Sequence, residues 1–119
     1  MAANTVCHIE WEVTDFARAQ TFYEGLFGWR FQEFGDEMVV FGLGDQHIGG
    51  LIKVNAVGVG RSPSVWIEVE SIEAACAKAE SVGGGVSKGK SEVPHVGWSA
   101  TLTDPDGNYV GIVQFAERG

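Results

Sequence analysis

Three side chains able to do chemistry stand on alternate positions near the start of the chain: His8, Glu10 and Glu12, in VCHIEWEV. An imidazole ligates metals and accepts protons near neutral pH. Carboxylates beside it can complete a metal site or work as an acid–base pair when burial separates their pKa values. The i, i+2, i+4 spacing puts all three on one face of a strand, with Cys7, Ile9, Trp11 and Val13 on the other. A second imidazole, His47, lies in QHIGGLI. His8, His47 and one of the glutamates have the composition of a two-histidine-one-carboxylate site. Whether His47 shares the His8 face depends on strand register, and a slip of one residue moves it to the opposite face. His95, in the VPHVG loop, is a third imidazole that can close over a site. The ordinary alternative for each histidine is a solvated or hydrogen-bonded side chain.

A similar alternation recurs at Ser64, Trp66 and Glu68, opposite Val65, Ile67 and Val69. Indoles beside carboxylates suit a cationic, partly aromatic ligand, because ring faces attract cations and the acids balance the charge. Trp98 is expected to join this set. The competing account makes the glutamates solvated and the two indoles core. Trp11 and Trp29 are assigned to structure.

Each alternating stretch leads into a helix. Asp15 is placed to cap a helix whose apolar stripe is Phe16, Ala19, Phe22, Tyr23, Leu26 and Phe27, with Gly28 as the stop. Ser71 is placed to cap a second helix with Ile72, Ala75, Ala79 and Val82 on its stripe, stopped by Gly83 to Gly85. Arg18 sits early in its helix, against the dipole, and is expected to find a carboxylate partner. Val13-Thr14-Asp15 lines up with Val69-Glu70-Ser71, so the chain reads as an internal duplication, 5–54 and 63–116, joined by a glycine-rich linker at 55–62. After the first helix, strands are expected at 29–34, 38–43 and 47–54. After the second they are expected at 86–90, 98–103 and 109–115, with a loop at 91–97 and a tight turn at DPDGN, 104–108. The order βαβββ–βαβββ makes the chain α+β.

The totals bound the function. A chain of 119 residues is a single domain, 1–119. The net charge of −8, with no element concentrating Lys or Arg, argues against a nucleic-acid partner. No apolar run approaches a membrane span, and MAANTV carries no secretory pattern, so the expected location is cytoplasmic. Cys7 and Cys76 are expected to be reduced, buried and structural.

The run from His8 to Trp29, HIEWEVTDFARAQTFYEGLFGW, resembles the opening of the vicinal-oxygen-chelate superfamily, which contains glyoxalase I, extradiol dioxygenases and bleomycin-resistance proteins. DPDGNYVGIVQ, 104–114, resembles that family's last hairpin. HIGGLI, 47–52, is similar to a lactoylglutathione-lyase-related subgroup of unknown role. The resemblance implies two βαβββ modules forming a U-shaped mixed sheet around a cleft, helices outside, often completed as a homodimer. It also implies a divalent metal that chelates two substrate oxygens as a Lewis acid. The ligand positions it implies fall on His8, on Gly49 or Gly50, on Ser64 and on Gly111. Only His8 is a competent metal ligand, and a catalytic zinc site takes about three protein ligands.

Three readings follow. The leading one is a small-molecule-binding protein of the antibiotic-sequestering kind, with the family metal site largely lost and a cleft lined by His8, Glu10, Glu12, His47, Ser64, Trp66, Glu68 and Trp98. The alternative is a metal-dependent lyase, isomerase or dioxygenase using His8 with non-standard ligands. The third is an interaction module that kept the fold and lost the ligand.

Overall fold

A computed structural model describes residues 3–58, 60 and 62–116. The chain ends, and positions 59 and 61 of the expected linker, lie outside that set. Ten elements follow one another as β1 (Val6–Val13), α1 (Phe16–Phe27), β2 (Arg30–Phe34), β3 (Met38–Leu43), β4 (Gln46–Lys53), β5 (Ser64–Glu68), α2 (Ile72–Ser81), β6 (Gly85–Val93), β7 (Gly97–Thr103) and β8 (Tyr109–Phe115). This is the expected α+β architecture of two βαβββ modules with parallel and antiparallel pairs. The chain divides into two compact units, Cys7–Ser64 and the described part of 65–119 with residues 3–6.

In the first unit the strands run β2-β3-β4-β1. β1 and β4 are parallel, with Ile9 opposite Gly49, Glu10 opposite Gly50 and Trp11 opposite Leu51. The α1 helix starts where Asp15 accepts a 2.9 Å bond from the Arg18 backbone N–H, and ends at Gly28 in the left-handed region. The apolar face of β1 meets aromatic rings. Trp11 stacks at 5.2 Å on Tyr23 of α1 and 5.9 Å from Phe41 of β3, while Trp29 lies 4.7 Å from Phe41. Leu51, Phe41, Val39 and Cys7 complete this core. The α1 stripe is only partly used. Tyr23 is packed, but Phe22, Leu26 and Phe27 are half or more exposed. Phe27 stacks on Trp29 at 4.8 Å despite that exposure, and no residue of α1 is fully buried.

In the second unit the strands run β5-β8-β7-β6, with β5 parallel to β8. Ser71 caps α2 through a 3.1 Å bond from the Ala74 N–H, and the Gln114 side chain accepts from the Ile72 N–H at 2.9 Å. These two acceptors satisfy helix donors that have no partner within the helix. Ile72, Ala100 and Ile112 form the core, with Val69, Ala75, Cys76, Trp98 and Leu102 packed on it. The expected 91–97 loop is shorter than predicted, because β6 continues through Val93, paired to Gly97. At the 104–108 turn the Asp104 carboxylate accepts from the Asp106 and Asn108 N–H groups and from the Asn108 amide. Those donors stabilise its charged form and hold its pKa below the usual carboxylate value.

Both cysteines are free thiols. Burial, then the charges of Glu80 and Glu73, push the Cys76 thiol up, away from the reactive thiolate. The Arg18 guanidinium donates to Thr14 Oγ1 at 2.9 Å, and the Arg18 backbone N–H bond, then its charge, lower the pKa of the expected partner Asp15. Leu51 is fully buried, whereas Val82 is 64% exposed. Leu51→Ala is therefore expected to lower unfolding free energy by about 2–5 kcal/mol in a urea titration, and Val82→Ala by less than about 0.5 kcal/mol.

Candidate functional site

The open face of β1, opposite the aromatic core, carries His8, Glu10 and Glu12. The polar groups that gather there come from β1 and β4. His8 Nδ1 and His47 Nε2 are 2.8 Å apart, and the two rings stack with centroids 5.1 Å apart and planes 15° from parallel. On its other side His8 Nε2 lies 3.3 Å from Glu10 Oε1, and both side chains are largely buried, 18% and 15% exposed. The result is a chain, Glu10–His8–His47.

The placement of His47 rests on a bulge. Between β3 and β4 the register passes from Phe41 opposite Gly49 to Gly42 opposite His47, leaving Ile48 without an opposite residue. A bulge adds one residue to one strand and so reverses its alternation beyond that point. Without it, His47 would point with Phe41 toward the aromatic core. Glycine is required on both sides of the irregularity. A Cβ on Gly42 would run into the Gln46 carbonyl oxygen, and one on Gly49 into the Ile9 carbonyl oxygen. The expectation that the implied second ligand position falls on Gly49 or Gly50 resolves to Gly50. It pairs with Glu10, and a Cβ there would stand 3.3 Å from the His8 ring and 3.2 Å from Met38 Sδ.

Hydrogen-bonding partners favour one arrangement of the protons. A carboxylate only accepts, so Glu10 favours a proton on His8 Nε2. His8 Nδ1 then offers a lone pair, which accepts from His47 Nε2–H. This leaves His47 Nδ1 as a bare acceptor. His47 stays more than a third exposed as a residue, yet the neighbouring side chains crowd its ring. Loss of solvent, and then the adjacent His8, lower its pKa from the ordinary imidazole value. His47 is thus a neutral imidazole at pH 7. Glu12 is engaged elsewhere: its carboxylate accepts from the Gly58 N–H at 3.3 Å, and its own N–H donates to Ser62 Oγ at 3.0 Å.

The other predicted site residues lie in the second alternating strand and beyond. Ser64 opens β5. Trp66 and Glu68 follow it on the face away from α2, and Glu68 is only 6% exposed. Trp66 pairs with Gly111, and a Cβ on Gly111 would fall inside the Trp66 indole. Trp98 is a correction. It packs with Ala100 and Leu102 against Ile72, on the α2 side, with Lys90 Nζ 4.8 Å over its ring. Trp98, Ala100 and Leu102 alternate along β7, so burial of the last two carries the first with them. His95 lines a separate cavity with Trp98 and Phe115.

Sequence reasoning did not single out Arg30 and Gln32. They line a cavity of about 250 Å³ together with Val40, Gly42, Asp45 and His47. The available signal was their i, i+2 spacing in β2.

The resemblance implies a divalent metal, and the residues present do not fit its site. His8 supplies one imidazole and His47 a second. Gly50 and Gly111 supply no side-chain donor, and the space a donor at 111 needs is taken by an indole. Among the described residues no three His, Cys, Asp or Glu side chains converge to hold an ion.

The comparisons agree with the fold. The family model described as Glyoxalase/Bleomycin resistance protein/Dioxygenase superfamily matches residues 5–112. The CFP32 proteins of Mycobacterium bovis and Mycobacterium tuberculosis, which carry a glyoxylase name, are 30% identical over 104 residues, covering 84% of this chain. The chain spans 40% of the length of those relatives. Among solved structures, hypothetical protein BH1468 of Bacillus halodurans superposes with a TM-score of 0.75 at 16% identity, over 99% of both chains. The Mn(II)-bound glyoxalase of Novosphingobium aromaticivorans gives 0.70 at 17% identity, over 98% of this chain and 42% of that one. At such identities the likeness shows the fold alone.

His47 binds fewer protons in the folded protein than in the unfolded chain just below the ordinary histidine pKa, so stability falls as pH drops through that range. The melting temperature of the protein is expected to fall between pH 7.5 and 5.5 by more than that of His47→Gln, measured by calorimetry in one buffer series. Parallel pH profiles would show that His47 titrates as a free imidazole.

Proposed function

We propose a function from one premise: the chain belongs to the Glyoxalase/Bleomycin resistance protein/Dioxygenase superfamily. It binds a small organic molecule on the open face of the β2-β3-β4-β1 unit without a family-type metal centre. Its role is then closer to the family's sequestering members than to its lyases or dioxygenases. The observation that carries this reading is the occupation of both His8 nitrogens by protein groups, one by His47 and the other by Glu10. The implied first ligand is thereby turned into the middle of a hydrogen-bonded chain. The glycines at 50 and 111 support the same reading, since neither offers a side-chain donor and the Trp66 indole occupies the space a side chain at 111 would need.

The expectation of a cationic, partly aromatic ligand rests on carboxylates beside indoles; on this face Glu10 lies against His8 and Glu12 accepts from the Gly58 N–H.

A second reading is favoured by one feature. Two imidazole nitrogens 2.8 Å apart, with a carboxylate on the far nitrogen of one, resemble the way outer carboxylates orient metal-bound histidines. Elemental analysis of chelator-free protein beside His8→Ala separates the two. The expected result is sub-stoichiometric metal in both samples and a melting temperature unchanged by EDTA. Near-stoichiometric metal that disappears in His8→Ala, with a lowered melting temperature in EDTA, would replace the binding reading with the metal-dependent one.

A further inference from the structure

We propose that the cavity between Arg30 and His47 is a subsite for a small oxyanion that also carries a hydroxyl group, such as a short hydroxy acid or hydrogen phosphate. The inference rests on the reading of this face as a ligand site and names the chemistry it takes. Register builds the subsite. Arg30 on β2 stands opposite Gly42 on β3, which stands opposite His47 on β4. Neighbouring strands are about 4.8 Å apart, so Arg30 and His47 flank a gap about 10 Å wide at the backbone. No side chain rises from Gly42 between them. The cavity there, about 250 Å³, also takes in Gln32 and Val40. At about 30 Å³ per water molecule this is room for about eight water-sized atoms, enough for a small oxyanion.

Charge decides the ligand class. Among the described residues Arg30 makes no ion pair, and Asp45, on the same rim, forms none with it. The carboxylates of the adjoining β1 are engaged with His8 and Gly58, so Arg30 is the cation of this face that remains to be matched. A guanidinium presents a planar fork that fits two oxygens of a carboxylate or phosphate. The Gln32 amide adds a donor. His47 Nδ1, left bare by the Glu10–His8–His47 chain, adds an acceptor at the opposite wall. Two donors on one side and an acceptor on the other describe a ligand with an anionic head and a hydroxyl.

The test is a titration of isotopically labelled protein with sodium glycolate, sodium phosphate and sodium acetate at constant ionic strength and pH 7.5, followed by NMR. Saturable shifts at the Arg30 Nε–H and at the Gly42 and His47 amides are expected with glycolate, with phosphate or with both, and this distinguishes the two sources. Acetate, lacking the hydroxyl, is expected to bind several-fold more weakly than glycolate. Arg30→Gln should weaken binding by about tenfold or more, as loss of a charge-assisted bond does. Asp45→Asn, which removes the opposing charge, should tighten it. Arg18→Gln removes the same unit charge from α1 and should leave binding unchanged. An absence of saturable shifts with both glycolate and phosphate would overturn the proposal, as would equal weakening by Arg30→Gln and Arg18→Gln. Acetate binding as tightly as glycolate would overturn the role of His47 as acceptor. Metal found at His8 by elemental analysis would instead count against the binding reading itself, so the two failures are separable.

Discussion

One extra residue in β4 sets the chemistry of the open face. Ile48 has no opposite residue, and beyond it the alternation of β4 reverses. That reversal brings His47 within 2.8 Å of His8. The close backbone passages around it leave no room for a Cβ at Gly42 or Gly49. The bulge, the glycines and the parallel pairing of β1 with β4 are therefore one constraint. Remove any of them, and the imidazoles separate and the polar chain ends at His8.

The polar groups of this chain are defined by their partners more than by their number. The protein carries a net charge of −8, and on this face the carboxylates of β1 are held by local bonds. Glu10 lies against His8, and Glu12 accepts from the backbone at Gly58. His47, by contrast, is held neutral by crowding and by its neighbour. The same face thus joins hydrogen-bonded carboxylates on β1 to a neutral imidazole on β4, with an amide and a guanidinium on β2.

Glycine plays a similar part in both modules. Gly50 stands opposite Glu10 with the His8 ring beside it, and Gly111 stands opposite Trp66 beneath its indole. In a metal-dependent relative these are positions from which a ligand side chain is expected to project. Here a Cβ at 50 would press on the His8 ring, and the place of one at 111 is taken by the Trp66 indole. The two helices differ more than the strands do. Ile72 anchors α2 in a core with Ala100 and Ile112, whereas α1 rests through the partly exposed rings of Tyr23 and Phe27 on Trp11 and Trp29.

Local pattern alone carried the element order, the Asp15 and Ser71 caps, the Gly28 stop and the separation of Trp11 from His8. Each depends on side-chain period and on bonds between residues close in sequence. The family was legible for the same reason, since its motifs are contiguous strand–helix and turn segments. Three features were beyond that reach. Trp98 falls on the α2 side because β7 alternates with Ala100 and Leu102 in the core. Gly50, and not Gly49, stands beside His8 because of the β1–β4 register. His47 reaches His8, and Arg30 stands across Gly42 from His47, only through the Ile48 bulge and the β2–β3–β4 pairing. A period of two tells which residues share a face within one strand. Which faces meet across strands is set by register, and one residue of slip is invisible in the sequence but inverts the answer.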